Sequence, residues 1–348
     1  MNDIFRSVIV VRSSACVVLL AGIAGCVSPV EAFTCTTSDQ CTVGGVCQPM
    51  GFCSFDDQSC ASGQRYGAAS GALGGVCVGD EPGGPLGCDP AKPFRAAVLV
   101  GGLASSAEDA GLRLSPDERT GYLFSARTGR RLLYTAHRAS ATAGFTDVAA
   151  LASVNSLTVD PFNPAISADG LTLLFASHRV FTDNDIFQAS RGATTADFTN
   201  PKPVANVDTA ASEVEPYLAR DGATMYFVRT VASRQTVVRA VGSAAGGFAG
   251  LTTVSEVDGP TNDSDPVLSA DGLTLYWGSD RPGGLGDFDV WQARRGSTTT
   301  AFGGLAPVAS VNTAGFDAPS DVSADGCRLY LTSTRGGRTG IYVATRPP

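Results

Sequence analysis

The chain has 348 residues, of which 17% are charged and 43% are hydrophobic, and its formal net charge is −8. An acidic surface repels nucleic acid and anionic lipid headgroups, so the composition argues against nucleic-acid binding and against electrostatic attachment to a membrane. Ten cysteines against two histidines point to disulfides before metal sites or thiol catalysis.

The first 25 residues have the composition of a signal peptide. Arg6 and Arg12 precede an apolar run over residues 15–24, which is too short to span a bilayer. The run ends at Ile23-Ala24-Gly25-Cys26, which resembles the lipobox of bacterial lipoproteins. That resemblance implies that Cys26 is acylated and becomes the mature N-terminus. The alternatives are an ordinary signal peptide and a buried apolar helix.

Val27 follows this cysteine, so the aspartate that retains some lipoproteins at the inner membrane is absent. This favours an exported protein anchored by lipid to the outer membrane. Loss of residues 1–25 removes two arginines and one aspartate, so the net charge of the mature chain becomes −9. Membrane attachment would therefore come from the lipid and not from a basic surface.

A cysteine-rich module is expected over residues 26–79, and a linker rich in proline and glycine over residues 80–93. Crowded cysteines in an exported chain indicate disulfides, each of which stabilises a small module by about 2–4 kcal/mol. Zinc is disfavoured because close Cys-x-x-Cys pairs are missing and His137 and His178 are remote. The cysteines predicted to form disulfides are Cys35, Cys41, Cys47, Cys53, Cys60, Cys77, Cys88 and Cys327.

One cysteine of the seven that precede the repeats cannot pair within that group. It is free, pairs between chains or reaches Cys327. Cys88 is the favoured partner because it lies six residues before Phe94, where a strand of the last repeat is expected. The bridge requires Cα atoms within about 7 Å. The remaining six cysteines could then pair in any of fifteen ways.

Five similar units follow the linker. Each centres on a turn aspartate, and these aspartates stand 52, 52, 50 and 54 residues apart. A period near 50 residues with Asp-Gly turns between alternating apolar runs predicts blades of four antiparallel strands. The five aspartates are Asp117, Asp169, Asp221, Asp271 and Asp325.

The count of strand signals predicts how the units close. The fourth strand of a unit begins at a phenylalanine, and a surplus copy of this signal occurs at Phe94, before the first unit. The chain ends at Pro348, just after the third strand of the fifth unit. We therefore expect an all-β fold in which residues 94–348 form a five-bladed β-propeller that the N-terminal strand closes.

The repeats resemble the WD40-like propeller repeats of the TolB type. The shared features are the Ser-x-Asp-Gly turn, an apolar strand, Ser-x-Arg and a final Asp-Ile-aromatic step, as in Ser279-Asp280-Arg281 and Asp289-Val290-Trp291. The resemblance covers residues 94–345 and implies the fold, whereas such repeats serve scaffolds, partners of envelope proteins and enzymes alike. Unit three departs most, and unit one lacks glycine after Asp117.

Residues repeated in every blade are expected to hold blades together, whereas chemistry needs one unique constellation. Four of the five turn aspartates are followed ten residues later by an arginine, and these arginines are expected to pair with carboxylates or carbonyls at a blade edge. They are Arg127, Arg179, Arg281 and Arg335.

Acidic residues precede the innermost strands and could converge at one mouth of the central channel. There they would favour Ca²⁺ or a cationic partner. The alternative is a set of strand-start turns whose carboxylates accept backbone N–H groups. The candidate residues are Asp109, Glu213, Glu215, Asp263, Asp265 and Asp317.

No phosphate loop, nucleophile elbow or zinc-protease motif is present, and no catalytic residue is assigned. The sequence favours a non-enzymatic, lipid-anchored envelope protein whose propeller binds a protein or glycan. One alternative is a glycan-active hydrolase or lyase with carboxylates at the channel mouth. The other is a structural envelope spacer.

Overall fold

The computed structural model describes residue 35, residues 37–48, 52–60 and 63–68, residues 70 and 78, and residues 88–155, 159–178, 183–243 and 246–348. The chain divides into two compact units, Met1–Val78 and Gly79–Pro348. Among the described residues, no helix has the length and apolar character needed to cross a membrane.

The first unit contains a small three-stranded sheet. A 3₁₀ turn at Ser38–Gln40 precedes β1 (Val46–Cys47), β2 (Cys53–Asp56) and β3 (Gln64–Tyr66), and the strands lie in the order β1-β2-β3. The sheet is too small to bury much apolar surface, so cross-links supply its order. The disulfides Cys35–Cys47 and Cys41–Cys53 do this, and Cys60 is disulfide-bonded as well.

The second unit is built of β-strands, each short and separated by a turn or loop. The first is β4 (Val98–Leu99). The strands that follow are β5 (Asp109–Leu114), β6 (Thr120–Ser125), β7 (Leu132–His137), β8 (Thr146–Ala150), β9 (Phe162–Ile166), β10 (Thr172–Ser177), β11 (Asp185–Ser190), β12 (Thr199–Pro203), β13 (Ser212–Leu218), β14 (Thr224–Val231), β15 (Arg234–Ser243), β16 (Gly247–Thr253), β17 (Asp263–Leu268), β18 (Thr274–Ser279), β19 (Asp289–Arg294), β20 (Gly303–Pro307), β21 (Asp317–Val322), β22 (Arg328–Ser333) and β23 (Gly340–Thr345).

These strands form antiparallel sheets of four strands, which number five in the described residues. Blades 1 to 4 are β5–β8, β9–β12, β13–β16 and β17–β20. Blade 5 is β21-β22-β23-β4. The first strand of each blade contacts the first strand of the next, and β21 contacts β5, so the blades form a ring. The predicted all-β propeller with a disulfide-rich N-terminal module is confirmed.

The N-terminal strand completes the last blade. Leu99 pairs with Tyr342, and Val98 pairs with Val343. Outside this short ladder, the N–H of Arg95 donates to the carbonyl of Thr345. The disulfide Cys88–Cys327, with Cα atoms 5.8 Å apart, joins the same segment to blade 5. The sequence predicts a linker over residues 80–93. The part of that segment from Cys88 onward is tied to blade 5 by this disulfide.

The turn between the first and second strands explains the repeated Ser-x-Asp-Gly. In blade 2 the Ser167 hydroxyl donates to the Asp169 carboxylate at 2.5 Å, and Gly170 takes a positive φ of 70° that favours glycine. Blade 1 has Glu118 at the glycine position with φ 56°. A non-glycine residue in this region is strained, so its side chain should supply a compensating contact.

Glu118 makes that contact across the junction between the first and last blades. Its carboxylate is buried and accepts hydrogen bonds from Arg328 at 2.8 and 3.0 Å and from the Tyr330 hydroxyl at 3.0 Å. Arg138 adds a second buried ion pair at 3.2 Å. Glu118, which replaces the glycine of the turn motif, thus joins blade 1 to blade 5 and helps to close the ring.

A second repeated device joins neighbouring blades. We call it the interblade arginine. It stacks on the phenylalanine that precedes the fourth strand of its own blade. Its Nε–H donates to the carbonyl of the residue after the turn aspartate. In three blades it also donates to a tyrosine hydroxyl of the preceding blade. The stacked pairs are Arg138 with Phe145, Arg191 with Phe198, Arg295 with Phe302 and Arg346 with Phe94, with guanidinium carbons 4.6, 4.2, 4.4 and 3.9 Å from the ring centroids.

The junction between blades 2 and 3 is built differently. Gly242 occupies the position of the interblade arginine in blade 3, because its N–H donates to the Ala223 carbonyl as that of Arg191 donates to Leu171. Leu174 occupies the position of the tyrosine in blade 2. Leu174 packs in an apolar cluster with Phe248 and Val238. Both changes remove polar groups together, so this junction relies on apolar packing where the others use an arginine.

Candidate functional site

The carboxylates at the start of the first strands form ion pairs. Each side chain is almost fully buried, and each pairs with an arginine of the same blade at hydrogen-bond distance. The pairs are Asp109–Arg127 at 2.7 Å, Glu213–Arg229 at 2.8 Å, Asp263–Arg281 at 2.7 Å and Asp317–Arg335 at 2.7 Å.

Each arginine also caps the loop that leads into its blade. Arg127 donates to the carbonyl of Leu103 at 2.8 Å, and Arg229 donates to the carbonyl of Val207 at 3.1 Å. Arg281 and Arg335 donate to Val257 and Val311 in the same way. These contacts fix the strand starts, which is the role that repetition indicates.

Blade 3 makes the same pair with different residues. Arg229 stands opposite Glu213 in the ladder, at the position where the other pairs have a serine. A glutamate replaces the aspartate at the same time, and the ion pair is retained. The apparent departure of unit three is therefore a compensated substitution. Arg179 of unit two lies outside the described residues.

The structure thus places Asp109, Glu213, Asp263 and Asp317 inside the blades. Because their charges are already neutralised, these four carboxylates cannot together supply an open acidic mouth for a cation. The other two candidates, Glu215 and Asp265, lie at a different position.

Glu215 and Asp265 reach the centre of the ring because each first strand carries a bulge. The register of blades 3 and 4 shifts beside these residues, and both take a positive φ, at 57° and 47°. The backbone N–H of Asp265 donates to Glu215 Oε2 at 2.6 Å, and Asn163 Nδ2 donates to Asp265 Oδ1 at 3.4 Å. Side chains from blades 2, 3 and 4 therefore meet.

The electrostatics of this pair are unfavourable for two charges. Burial raises the pKa of Glu215 well above its usual range, and the nearby Asp265 carboxylate raises it further. Burial likewise raises the pKa of Asp265 to about 6, against the opposing effect of Arg113. Close carboxylates with raised pKa values are a frequent feature of functional sites.

Further along the channel, Arg113, Tyr217 and Asp321 occupy one equivalent position in three blades. The Arg113 guanidinium lies over the Tyr217 ring at 5.1 Å, and Asp321 accepts the N–H of Leu114 at 2.7 Å. Arg113 Nη1 has no hydrogen-bond partner in the described residues. These groups line a cavity of about 30 Å³, which has room for about one or two water molecules.

Sequence reasoning missed Arg113, Tyr217 and Asp321. A signal for them exists in the sequence. The position four residues before the turn aspartate is arginine, tyrosine or aspartate in these three units, although neighbouring positions repeat. The predicted Cys26 and Cys77 lie outside the described residues. His137 is exposed near Thr120, with its ring nitrogen 3.3 Å from the threonine hydroxyl.

Comparison with known proteins gives structural similarity at low sequence identity. No family model matches the chain, and no curated protein matches it. The fold is similar to TolB from Acinetobacter baumannii, with 17% identity, a TM-score of 0.43, and coverage of 70% of this chain and 56% of TolB.

Two glycoside hydrolases are similar to a comparable degree. A thermostable family-43 enzyme has 12% identity and a TM-score of 0.49, with 72% of this chain and 91% of that chain covered. An α-L-arabinofuranosidase from Podospora anserina has 13% identity and a TM-score of 0.48, with 75% and 99% covered. At these values none of the three assigns a function to this chain, which is defined by its own residues as a disulfide-linked β-propeller protein.

Proposed function

We propose that the protein is an exported, lipid-anchored bacterial envelope protein whose propeller binds a protein or glycan without catalysis. The observation that carries this proposal is that the four strand-start carboxylates each pair with an arginine of their own blade and so serve to hold the strand starts. The central cavity of about 30 Å³ is also far below the roughly 300–1,000 Å³ of small-molecule sites.

The disulfides support the localisation. Bridges form and persist in oxidising compartments, and they are found in both units of this chain. The lipid anchor at Cys26 and outer-membrane residence rest on the sequence pattern. Cys26→Ser should abolish fatty-acid labelling and membrane retention, and unchanged labelling would contradict the anchor.

The binding face in this proposal is the end of the ring that opens onto Glu215 and Asp265. Both carboxylates are half-buried and carry no ion pair in the described residues, so they can meet a cationic group of a partner. The test is capture from envelope extracts with the full chain and with a Glu215→Gln/Asp265→Asn variant. Enrichment of one partner by the wild type alone is expected, and equal capture by both would refute this face. Capture by neither would leave the spacer as the better account.

One observation favours a second candidate, a glycan-active hydrolase or lyase. Glu215 and Asp265 adjoin each other with raised pKa values, as a general acid and its partner carboxylate do. A screen of the purified chain on polysaccharides separates the two. Turnover that Glu215→Gln abolishes would establish the enzyme and sink the binding-only proposal. Asp287→Asn, at an exposed carboxylate, is the control for loss of a negative charge outside the channel.

A further inference from the structure

A second acidic cluster lies away from the channel, at the junction between blades 2 and 3. Asp185 is the first residue of β11, Asp208 follows β12, and Glu213 lies in β13. One carboxylate oxygen of each lies within 4.8 Å of those of the other two. Asp185 and Glu213 are 0% exposed, and Asp208 is half-buried. The three side chains therefore link one blade to the next.

Only one of the three carboxylates, Glu213, forms an ion pair with a described arginine. Glu213 pairs with Arg229 at 2.8 Å and also accepts the N–H of Thr209 at 3.2 Å. Neither oxygen of Asp185 has a hydrogen-bond partner within the described part of the chain. Burial and the neighbouring Asp208 raise the pKa of Asp185 to about 7. A buried carboxylate without a partner is costly, and the described residues supply no positive charge to Asp185.

Other oxygen atoms at the same strand end are unsatisfied as well. Ser177 stands opposite Asp185 in the ladder, and its buried hydroxyl has no partner among the described residues. The same is true of Asn184 Oδ1, in the residue before Asp185. The corresponding serine of blade 4, Ser279, accepts from Arg281 at 2.9 Å.

The matching junction between blades 4 and 5 carries an asparagine at the position of Asp208, as does blade 1 with Asn155. Asp289 stands at the position of Asp185, and its Oδ2 accepts the N–H groups of Leu285 and Gly286 at 2.6 and 3.0 Å. Asn312 stands at the position of Asp208, and its amide bonds both the N–H and the carbonyl of Val290. At the blade 2–3 junction a carboxylate has replaced this amide.

We propose that Asp185, Asp208 and Glu213 bind one Ca²⁺ ion, which joins blades 2 and 3 where the interblade arginine is replaced by Gly242. Ca²⁺ takes oxygen ligands at about 2.3–2.6 Å, so two ligands of one ion are at most about 5 Å apart, as these oxygens are. Three carboxylates and Arg229 give a net charge of −2, which a divalent ion balances. The half-buried Asp208 leaves a side open for water ligands, and irregular oxygen sets of this kind suit Ca²⁺ better than Mg²⁺.

The test uses the purified full chain, freed of metal with a chelator and then titrated with CaCl₂ by calorimetry. One equivalent should bind with a Kd on the order of 10⁻⁴ M or tighter, the range of weak extracellular sites. The melting temperature should rise on addition of Ca²⁺ and fall again with EDTA. MgCl₂ at equal concentration should give a smaller rise.

Asp208→Asn is the decisive variant because it introduces the amide that Asn312 supplies at the junction between blades 4 and 5. The variant should therefore fold. We expect it to weaken Ca²⁺ binding at least tenfold. Asp258→Asn is the matched control, because Asp258 holds the position of Asp208 in the next blade and pairs with Arg234 at 2.6 Å; it should keep the full response to Ca²⁺.

Two results would overturn the proposal. The first is an EDTA-insensitive melting temperature with no heat of binding up to about 10 mM Ca²⁺, well above the weak-site range. If no Ca²⁺ bound and Arg179→Ala lowered the melting temperature, Arg179 and not a metal ion would supply the positive charge at the cluster. The second is unchanged Ca²⁺ affinity in Asp208→Asn.

Discussion

Removal of the Cys88–Cys327 disulfide is expected to cost the propeller about 5 kcal/mol of unfolding free energy. The two cysteines are 239 residues apart, and the chain-entropy relation for closing a loop of that size gives roughly 5.5 kcal/mol at 25 °C before any strain. The perturbation is Cys88→Ala with Cys327→Ala, which removes the bridge and leaves no unpaired thiol.

The structure indicates why this loss should also affect ring closure. β4 pairs with β23 through only two residues, Val98 and Leu99, and both are exposed. Without the bridge, the strand is held in blade 5 by backbone hydrogen bonds, by Phe94 under Arg346 and by the buried Val100 and Leu103. Its release would expose the edge of β23, an open edge that promotes association between chains.

Denaturant unfolding followed by tryptophan fluorescence measures the effect on the propeller alone. Both tryptophans of the chain, Trp277 and Trp291, lie in blade 4. Cys41→Ala with Cys53→Ala is the matched control, because that bridge closes a 12-residue separation in the other compact unit. It should leave the fluorescence transition in place. Equal transition midpoints for the wild type and the Cys88/Cys327 variant would refute the reasoning.

Two further outcomes follow from buried charge. Glu118→Gln leaves Arg328 and Arg138 without their counterion and should cost about 3–5 kcal/mol in the same assay; a loss below about 1 kcal/mol would contradict the ring-closing role. The folded pKa of Asp265 is raised to about 6 against about 3.9 when unfolded, so its contribution to stability is fully present below pH 4 and is lost as the pH rises through 6. Asp265→Asn should remove that part of the pH dependence, on the order of 1–2 kcal/mol after solvent screening, and an unchanged profile would count against the shifted pKa.

The fold could be predicted because the same turn and strand motifs recur in each unit of the sequence. Each turn aspartate, and each phenylalanine before a fourth strand, is a signal that can be recognised from neighbouring residues. Counting these signals, with the surplus copy at Phe94, predicts the closed propeller. The placement of Cys88 beside Cys327 follows from the same count. Pairings inside the cysteine-rich module could not be predicted, since nothing in the spacing distinguishes Cys35–Cys47 from the alternatives.

The site could be predicted only in part, because distance from the turn does not reveal the direction of a side chain. Asp263 and Asp265 are two residues apart, yet one pairs with Arg281 inside the blade and the other reaches the channel through a bulge. The cluster at Asp185 and Asp208 brings together residues 23 positions apart in sequence. Glu213 belongs to the next blade, and only the packing of blades 2 and 3 brings it to them.

The central claim is that repeated carboxylates hold the blades while the unique channel carboxylates are kept for binding. The most direct test is to compare the unfolding free energies of Asp263→Asn and Asp265→Asn at pH 7. Asp263 accepts from Arg281 and from Trp277 Nε1 at 2.9 Å, so its loss should cost about 3–5 kcal/mol. Asp265→Asn relieves repulsion with Glu215 and should leave stability unchanged or higher, as expected for a residue kept for function. A larger loss for Asp265→Asn than for Asp263→Asn would contradict the account.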